Sequence, residues 1–166
     1  MKHSAVAVFT TASEAETAVR TLLEAGFSKE QVSIISRHLE GDHRVHGYSS
    51  DTATVAGGLL GGVFGILLGS AFVWLPEFGP LIVVGSIAAE ILGGFEGAVV
   101  GGAVAGAMGW LTNLSITEAK IGRYETLLKE GRFVVVAHGD ADVVDRAAEV
   151  LATCSPDELD RHAPIV

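Results

Sequence analysis

The sequence predicts an α+β fold of two βαβ halves, with a glycine-rich apolar insert between them. The two ends of the chain repeat one pattern of strand, helix and strand, in which Val6 precedes Ser28 by 22 residues and Val134 precedes Ser155 by 21. Residues 53–116 hold 15 of the 21 glycines and no lysine or arginine. All 11 basic residues therefore lie in the two ends, a distribution that is typical of a buried insert.

The first half begins with the apolar run Val6 to Phe9, which predicts a buried strand. A helix is predicted next, with Ser13 as its N-cap and Glu16 completing a capping box. Gly26 stands where a glycine usually ends a helix. Gln31 to Ser36 predicts the second strand. The apolar face of the helix is predicted to be Ala15, Ala18, Val19, Leu22 and Leu23.

The second half repeats this order. Phe133 to Ala137 predicts a strand, and either Asp140 or Asp142 is placed to cap the helix that follows. Leu159 to His162 predicts the last strand. The apolar face of the second helix is predicted to be Val143, Val144, Ala147, Val150 and Leu151.

A further helix is predicted just before the second half, with Thr117 as its cap, Gly131 at its end and an apolar stripe of Tyr124, Leu127 and Leu128. The predicted organisation is a first half (1–37), a polar linker (38–52), the glycine-rich insert (53–116), the connecting helix (117–131) and a second half (132–166).

Two βαβ units of this size usually combine into one ferredoxin-like sheet with both helices on one face. Each unit alone is too small to bury its apolar face well. We therefore expect the halves to meet, which requires both ends of the insert to return to one side.

The insert is predicted to be a hydrophobic helical hairpin. Residues 53–75 are uncharged and would make about 34 Å of helix, enough to cross a hydrocarbon core of about 30 Å. The break Pro76 to Pro80 follows, and then residues 81–92, which are too short to cross. Residues 97–114 would make about 27 Å of helix. The simplest route runs out through the first segment, along a half-helix and back through the last.

Glycines recur in the insert at four-residue spacing, which lets helix backbones approach closely. This spacing predicts helix packing, either within one chain or between chains. The predicted packing positions are Gly57, Gly61, Gly65, Gly69, Gly93, Gly97, Gly101, Gly102 and Gly106.

Three acids lie in the insert. Glu77 falls in the break and is expected in water, whereas Glu90 and Glu96 flank a glycine pair. The half-helix route places both near the far interface of a membrane, where a charge costs little. A proton or ion role and a contact between subunits are the alternatives.

Charge and motifs exclude several classes of function. The net charge is −9, which argues against nucleic-acid binding because phosphates require lysine and arginine clusters. The single cysteine, Cys154, excludes an internal disulfide. His38, His43 and His46 form the densest group of potential metal ligands, but their spacing matches no standard zinc site and a solvated linker explains them as well. No catalytic or cofactor-binding motif occurs, so neither catalytic residues nor a cofactor are predicted.

The chain resembles a bacterial general-stress-protein-like family with a glycine-rich hydrophobic middle. The resemblance implies a split ferredoxin-like module around a hydrophobic hairpin, and a stress-related label without a known reaction. This chain departs from the family pattern at Glu90 and Glu96, because the second apolar segment of the hairpin is usually uncharged in that family. The residues that carry the resemblance are Val6 to Phe9, the Ser13–Gly26 helix, Val32 to Ile35, Leu75 to Pro80, Gly97 to Gly109, Ile116 to Glu125, Gly131 and Phe133 to Val136.

Three hypotheses of function follow. The first is a non-enzymatic stress protein that self-associates and is held at the bacterial cytoplasmic membrane by its glycine-zipper hairpin, with both halves in the cytoplasm. The two halves are expected in the cytoplasm because no signal peptide is predicted: the apolar run Ala5 to Phe9 is shorter than the core of one. The second is a soluble cytoplasmic homo-oligomer, a ring or shell, in which hairpins bury one another. The third is a ligand or metal sensor that uses the ferredoxin-like module.

Overall fold

The computed structural model describes residues 2–37, 70–75, 79–87 and 114–164. The strands of this part form one antiparallel sheet in the order β3-β4-β2-β5-β1-β6, which confirms a mixed α/β fold with an antiparallel sheet. Along the chain the elements are β1 (His3–Phe9), α1 (Ala12–Glu24), β2 (Val32–Arg37), β3 (Ser70–Leu75), β4 (Gly79–Gly85), α2 (Glu118–Lys129), β5 (Phe133–Gly139), α3 (Ala141–Ala152) and β6 (Glu158–His162), with a 3₁₀ turn at Lys29–Gln31 before β2.

The two halves of the chain share the centre of this sheet. β5 of the second half lies between β1 and β2 of the first half, and β1 lies between β5 and β6. Val6 is the Cα partner of Val136 on one side and of Asp160 on the other. Neither half therefore buries its strands without the other.

Helix α1 begins two residues earlier than the sequence predicted. Its N-cap is Thr11, whose hydroxyl accepts from the Glu14 amide at 3.2 Å, while the Glu14 carboxylate accepts from the Thr11 amide at 3.0 Å. The prediction of a Ser13 and Glu16 capping box is wrong. Both pairs have the required three-residue spacing, so the pattern alone does not distinguish them.

Helices α1 and α2 end in the same way. Gly26 has a φ of +90° and Gly131 a φ of +84°, the left-handed region that glycine adopts without strain. After α1, the amides of Gly26 and Phe27 donate to the carbonyls of Leu23 and Leu22. The amides of Gly131 and Arg132 make the equivalent bonds after α2. This is the Schellman motif, and it supplies partners for carbonyls that the helix leaves open.

Both faces of the sheet are covered in its centre. Alternate residues of a strand point to opposite faces, so Ala5 and Ala7 of β1 face α1 and α3, whereas Val6 and Val8 face α2. The core between the sheet and the α1–α3 layer is rich in alanine, which lets both helices approach the sheet closely. The core between the sheet and α2 is built from larger side chains. The described fold therefore has three layers: α1 with α3, the sheet, and α2.

Two strands replace parts of the helices that the sequence predicted. A helix was predicted over residues 53–75 and a half-helix over 81–92, yet 70–75 and 79–85 form β3 and β4. Short apolar runs do not distinguish a buried strand from a buried helix by periodicity. Strand pairing makes residues 79–85 a strand here, because β4 pairs with the apolar strand β2 from Ser33 to Arg37. This pairing places the buried side chains of Leu81 and Val83 in the core under α2.

These strands also overturn the predicted membrane route. Residues 70–75, the end of the first proposed crossing, and residues 79–85, which follow it, form β3 and β4 and join the sheet next to β2. A route that leaves through 53–75 and returns only through 97–114 is therefore wrong. Within the described ranges, no helix is long and apolar enough to cross a membrane.

Buried serines fix both points where the segment 88–113 leaves and re-enters the described fold. The Ser33 hydroxyl on β2 accepts from the Ile87 amide at 3.1 Å, and the Ser4 hydroxyl on β1 donates to the Leu114 carbonyl at 2.7 Å. Ile87 and Leu114 both belong to the α2-side core. Both ends of this segment therefore lie on one face of the sheet.

Candidate functional site

The densest group of interacting polar side chains in the described fold lies between α2 and the edge strand β6. Lys120 and Tyr124 are four residues apart on α2, so they share one face of that helix. Asp160 and His162 are two residues apart on β6, so they share one face of the sheet. We call these four residues the α2–β6 cluster.

Asp160 is the centre of the α2–β6 cluster. The Lys120 ammonium lies 2.8 Å from one carboxylate oxygen of Asp160 and 2.9 Å from the other. The Tyr124 hydroxyl donates to Asp160 Oδ2 at 2.9 Å and lies 2.9 Å from Nε2 of His162. The rings of Tyr124 and His162 meet edge to face, with centroids 6.0 Å apart and an angle of 88° between their planes.

Proton counting assigns the direction of these bonds. A carboxylate only accepts, and a phenol has one proton to donate. Since Tyr124 gives that proton to Asp160, its oxygen is left to accept from His162. His162 is then the Nε2–H tautomer, and the chain of donors runs from His162 through Tyr124 to Asp160.

Burial and charge shift the pKa values of all three groups in this chain of bonds. Burial first, and then the hydrogen bond to Asp160, raise the pKa of the Tyr124 phenol far above its usual value. Burial alone would raise the pKa of Asp160, but hydrogen bonds from Lys120 and Tyr124 lower it below its usual value. Burial lowers the pKa of His162; the negative charge of Asp160 opposes this shift and the positive charge of Lys120 adds to it.

A polar row extends from the α2–β6 cluster across the sheet. Ser4 of β1 is the Cα partner of both His162 on β6 and His138 on β5. All three are buried, with exposed fractions of 0% for Ser4, 4% for His138 and 8% for His162. Because Ser4 also holds the Leu114 carbonyl, the row connects β6 with the point where residues 88–113 rejoin the fold.

The geometry indicates that the α2–β6 cluster fastens α2 to the sheet. Every bond in it joins a group on α2 to a group on β6. A second ion pair, Arg123 with Glu158, joins the same two elements beside it. Lys120 and Tyr124 both bind Asp160, so the arrangement is a structural contact between the two elements.

Sequence reasoning missed the α2–β6 cluster. It placed Tyr124 on an apolar stripe and His162 only at the end of the last predicted strand. A usable signal was present: Glu158, Asp160 and His162 alternate on one strand, which predicts a polar strand face. Only the pairing of β6 with β1 shows that α2 covers that face.

The residues that the sequence nominated as sites fall elsewhere. They lie outside the described residues, so their predicted roles stay predictions. Among the described residues, no group of three or more histidine, cysteine or acidic side chains is arranged to hold a metal ion. The nominated residues are His38, His43, His46, the acids Glu77, Glu90 and Glu96, and the packing glycines Gly57, Gly61, Gly65, Gly69, Gly93, Gly97, Gly101, Gly102 and Gly106.

Comparison with known proteins places a family likeness on the first part of the chain. No curated protein and no solved structure matches it. Residues 4–77 match the family described as the heat induced stress protein YflT domain. The match runs from β1 through α1 and β2 into the glycine-rich stretch, and it covers less than half of the 166 residues. It supports the general-stress-protein part of the resemblance.

Proposed function

We propose that the protein is a non-enzymatic, stress-related protein that self-associates through its glycine-rich apolar segments. The family match over residues 4–77 supports the stress-related role. One structural observation supports the choice of self-association: β3 and β4 join the sheet, so the described residues up to Ile87 divide the glycine-rich stretch into 53–69 and 88–113.

The lengths of these two segments favour protein packing over membrane crossing. Residues 88–113 leave and re-enter on one face of the sheet, so a membrane route needs two crossings, or about 40 residues, whereas this segment has 26. Residues 53–69 number 17, and a single crossing would put Ser70 across the membrane from the linker that precedes them. Glycines spaced by four instead suit close contact between backbones.

We also propose that β1, α1, β2, β5, α3 and β6 form a ferredoxin-like unit. The order β6-β1-β5-β2 and the packing of α1 and α3 on one sheet face support this arrangement. The unit would hold the two glycine-rich segments at fixed points, with α2, β3 and β4 as additions to it.

Size-exclusion chromatography with light scattering, in buffer without detergent, tests self-association. We expect a discrete oligomer for the full chain. Gly101→Leu should reduce its mass, because the added side chain would separate packed backbones. Gly122→Leu is the control, since a Cβ at Gly122 meets no atom within 4 Å. A wild-type monomer, or Gly101→Leu with unchanged mass and a folded circular dichroism spectrum, would contradict the proposal.

Membrane association is the second candidate function. Residues 53–69 and 88–113 contain no lysine or arginine, and two acids in the second segment, Glu90 and Glu96, are their only charges. A shallow insertion into one leaflet would suit their lengths better than a crossing. Flotation of the purified chain with lipid vesicles distinguishes the two: co-flotation favours the membrane, and an oligomer left in the dense fractions favours self-association alone.

A further inference from the structure

We propose that the bonds from His162 through Tyr124 to Asp160 form a proton-sensitive contact, which holds α2 and Leu114 on the sheet at neutral pH and releases them when His162 is protonated. The released part would be the point where the glycine-rich segment 88–113 rejoins the fold. This inference is independent of whether that segment binds another copy or a membrane.

The surroundings of His162 disfavour a positive charge. His162 is 8% exposed, so water stabilises its charged form poorly. Its nearest anion, Asp160, is already paired with Lys120 through both carboxylate oxygens. The other carboxylate on this side of β6, Glu158, is paired with Arg123. The added proton would go to Nδ1, because Nε2 already carries the proton that it donates to Tyr124. The charge, rather than the loss of a donor, is what disfavours the contact, since it would be a third cation in a region whose two carboxylates are already paired.

The neighbouring strands provide no compensating charge among the described residues. Across β1 the partner of His162 is Ser4, which is neutral and donates its proton to Leu114. One strand further, on β5, the partner of Ser4 is His138, a second buried imidazole. Two strand spacings separate the histidines by about 10 Å, close enough for a charge on one to disfavour a charge on the other in a poorly hydrated site.

The same contacts connect His162 with Leu114. Tyr124 packs in one core with Leu114, Ile116 and Ile121, and α2 begins four residues after Leu114. On β6, His162 lies beside Ser4, which holds the Leu114 carbonyl at 2.7 Å. A charged His162 ring is better stabilised in water than at this buried position, and its movement away from Tyr124 would loosen α2 from the sheet and disturb the Ser4 bond to Leu114.

Hydrogen exchange of the full-length chain, corrected for intrinsic rates, tests this inference. We expect the amides of residues 114–124 to be at least about threefold less protected at pH 5.5 than at pH 7.5. His162→Gln should remove this pH dependence, because glutamine does not titrate. His3→Gln is the matched control, since His3 lies on β1 next to Ser4 but on the opposite sheet face, and it should retain the wild-type response.

The inference is overturned if His162→Gln keeps the wild-type pH response, or if protection of residues 114–124 does not change while the His162 imidazole titrates by NMR. Should His162→Gln fail to fold, Tyr124→Phe decides, because it keeps the imidazole and removes the bond. Protection in that variant at pH 7.5 should fall to the wild-type value at pH 5.5, and unchanged protection would contradict the proposal.

Discussion

Strands β2 and β6 occupy the same place in the two βαβ halves but different places in the sheet. β2 lies between β4 and β5, and its Val32 and Ile35 are fully buried. β6 has β1 on one side and no described strand on the other, and it carries Glu158, Asp160 and His162 on its α2-facing side. The same place in the strand–helix–strand order is thus held by an apolar interior strand in one half and by a charged edge strand in the other.

The polar site thus lies on the strand at the edge of the sheet and not on the interior one. An exposed edge invites pairing with another strand, and charged side chains on it reduce that risk. Here those side chains also bind Lys120, Arg123 and Tyr124 on α2. The α2–β6 cluster therefore lies at the edge of the sheet, whereas the edge of β2 is paired with β4, and β2 contacts α2 through the bond from Arg37 to the Lys129 carbonyl.

The largest expected difference between the two strands is in core packing. Ile35→Ala on β2 should lower the free energy of unfolding by about 2–4 kcal/mol, because it leaves a cavity at a residue with 0% exposure. Leu159→Ala on β6 should cost about 1 kcal/mol, because Leu159 is only partly buried. Urea unfolding of both variants measures the two losses of unfolding free energy. Equal losses would contradict the contrast between the interior strand and the edge strand.

A smaller effect is expected from the Tyr124 hydroxyl. Tyr124→Phe should lower the free energy of unfolding by about 1–2 kcal/mol, because Asp160 and His162 both lose a buried hydrogen-bond partner. Thr126→Val on the same helix is the control, since its hydroxyl bonds only to the Gly122 carbonyl at an exposed position. A cost no greater than that of the control would show that the α2–β6 cluster does not fasten the helix.

The acid dependence of stability should separate Asp160 from an exposed carboxylate. The pKa of Asp160 is lowered in the folded state, so its contribution is present above the unfolded value of about 3.9 and is lost as the pH falls through the folded value. Asp160→Asn should reduce the slope of stability against pH below about 4. Asp145→Asn, in an ion pair whose partners are both 62% exposed, should leave that slope nearly unchanged. Identical slopes in the two variants would contradict this account.

The sequence predicted the elements whose signals are local. The helices α1 and α2 end at Gly26 and Gly131, where glycine permits a positive φ, and β1 and β5 follow their apolar runs. Long-range pairing was not predictable in the same way. Residues 81–85 form a strand because β2 lies beside them, and Asp160 meets Lys120 because β6 pairs with β1 under α2. Such contacts depend on residues that are distant in sequence, which neither periodicity nor spacing reports.

Substitution at Gly85 tests the central claim, that the glycine-rich stretch is divided by strands of the sheet. Gly85 has a φ of +106°, and a Cβ there would lie 2.4 Å from the Val32 carbonyl oxygen and 2.9 Å from the Ser33 Cα. Gly85→Ala should therefore lower the free energy of unfolding by about 2 kcal/mol or more, since both the backbone conformation and the contact are strained.

Gly122→Ala is the matched control, because Gly122 lies within α2 with open space around it, and the substitution should raise stability by up to about 1 kcal/mol. The half-helix predicted from sequence over residues 81–92 requires the same gain at Gly85. Chemical unfolding of the two variants decides between them: a large loss at Gly85 with a gain at Gly122 is the result expected here, and a gain at both positions would contradict it.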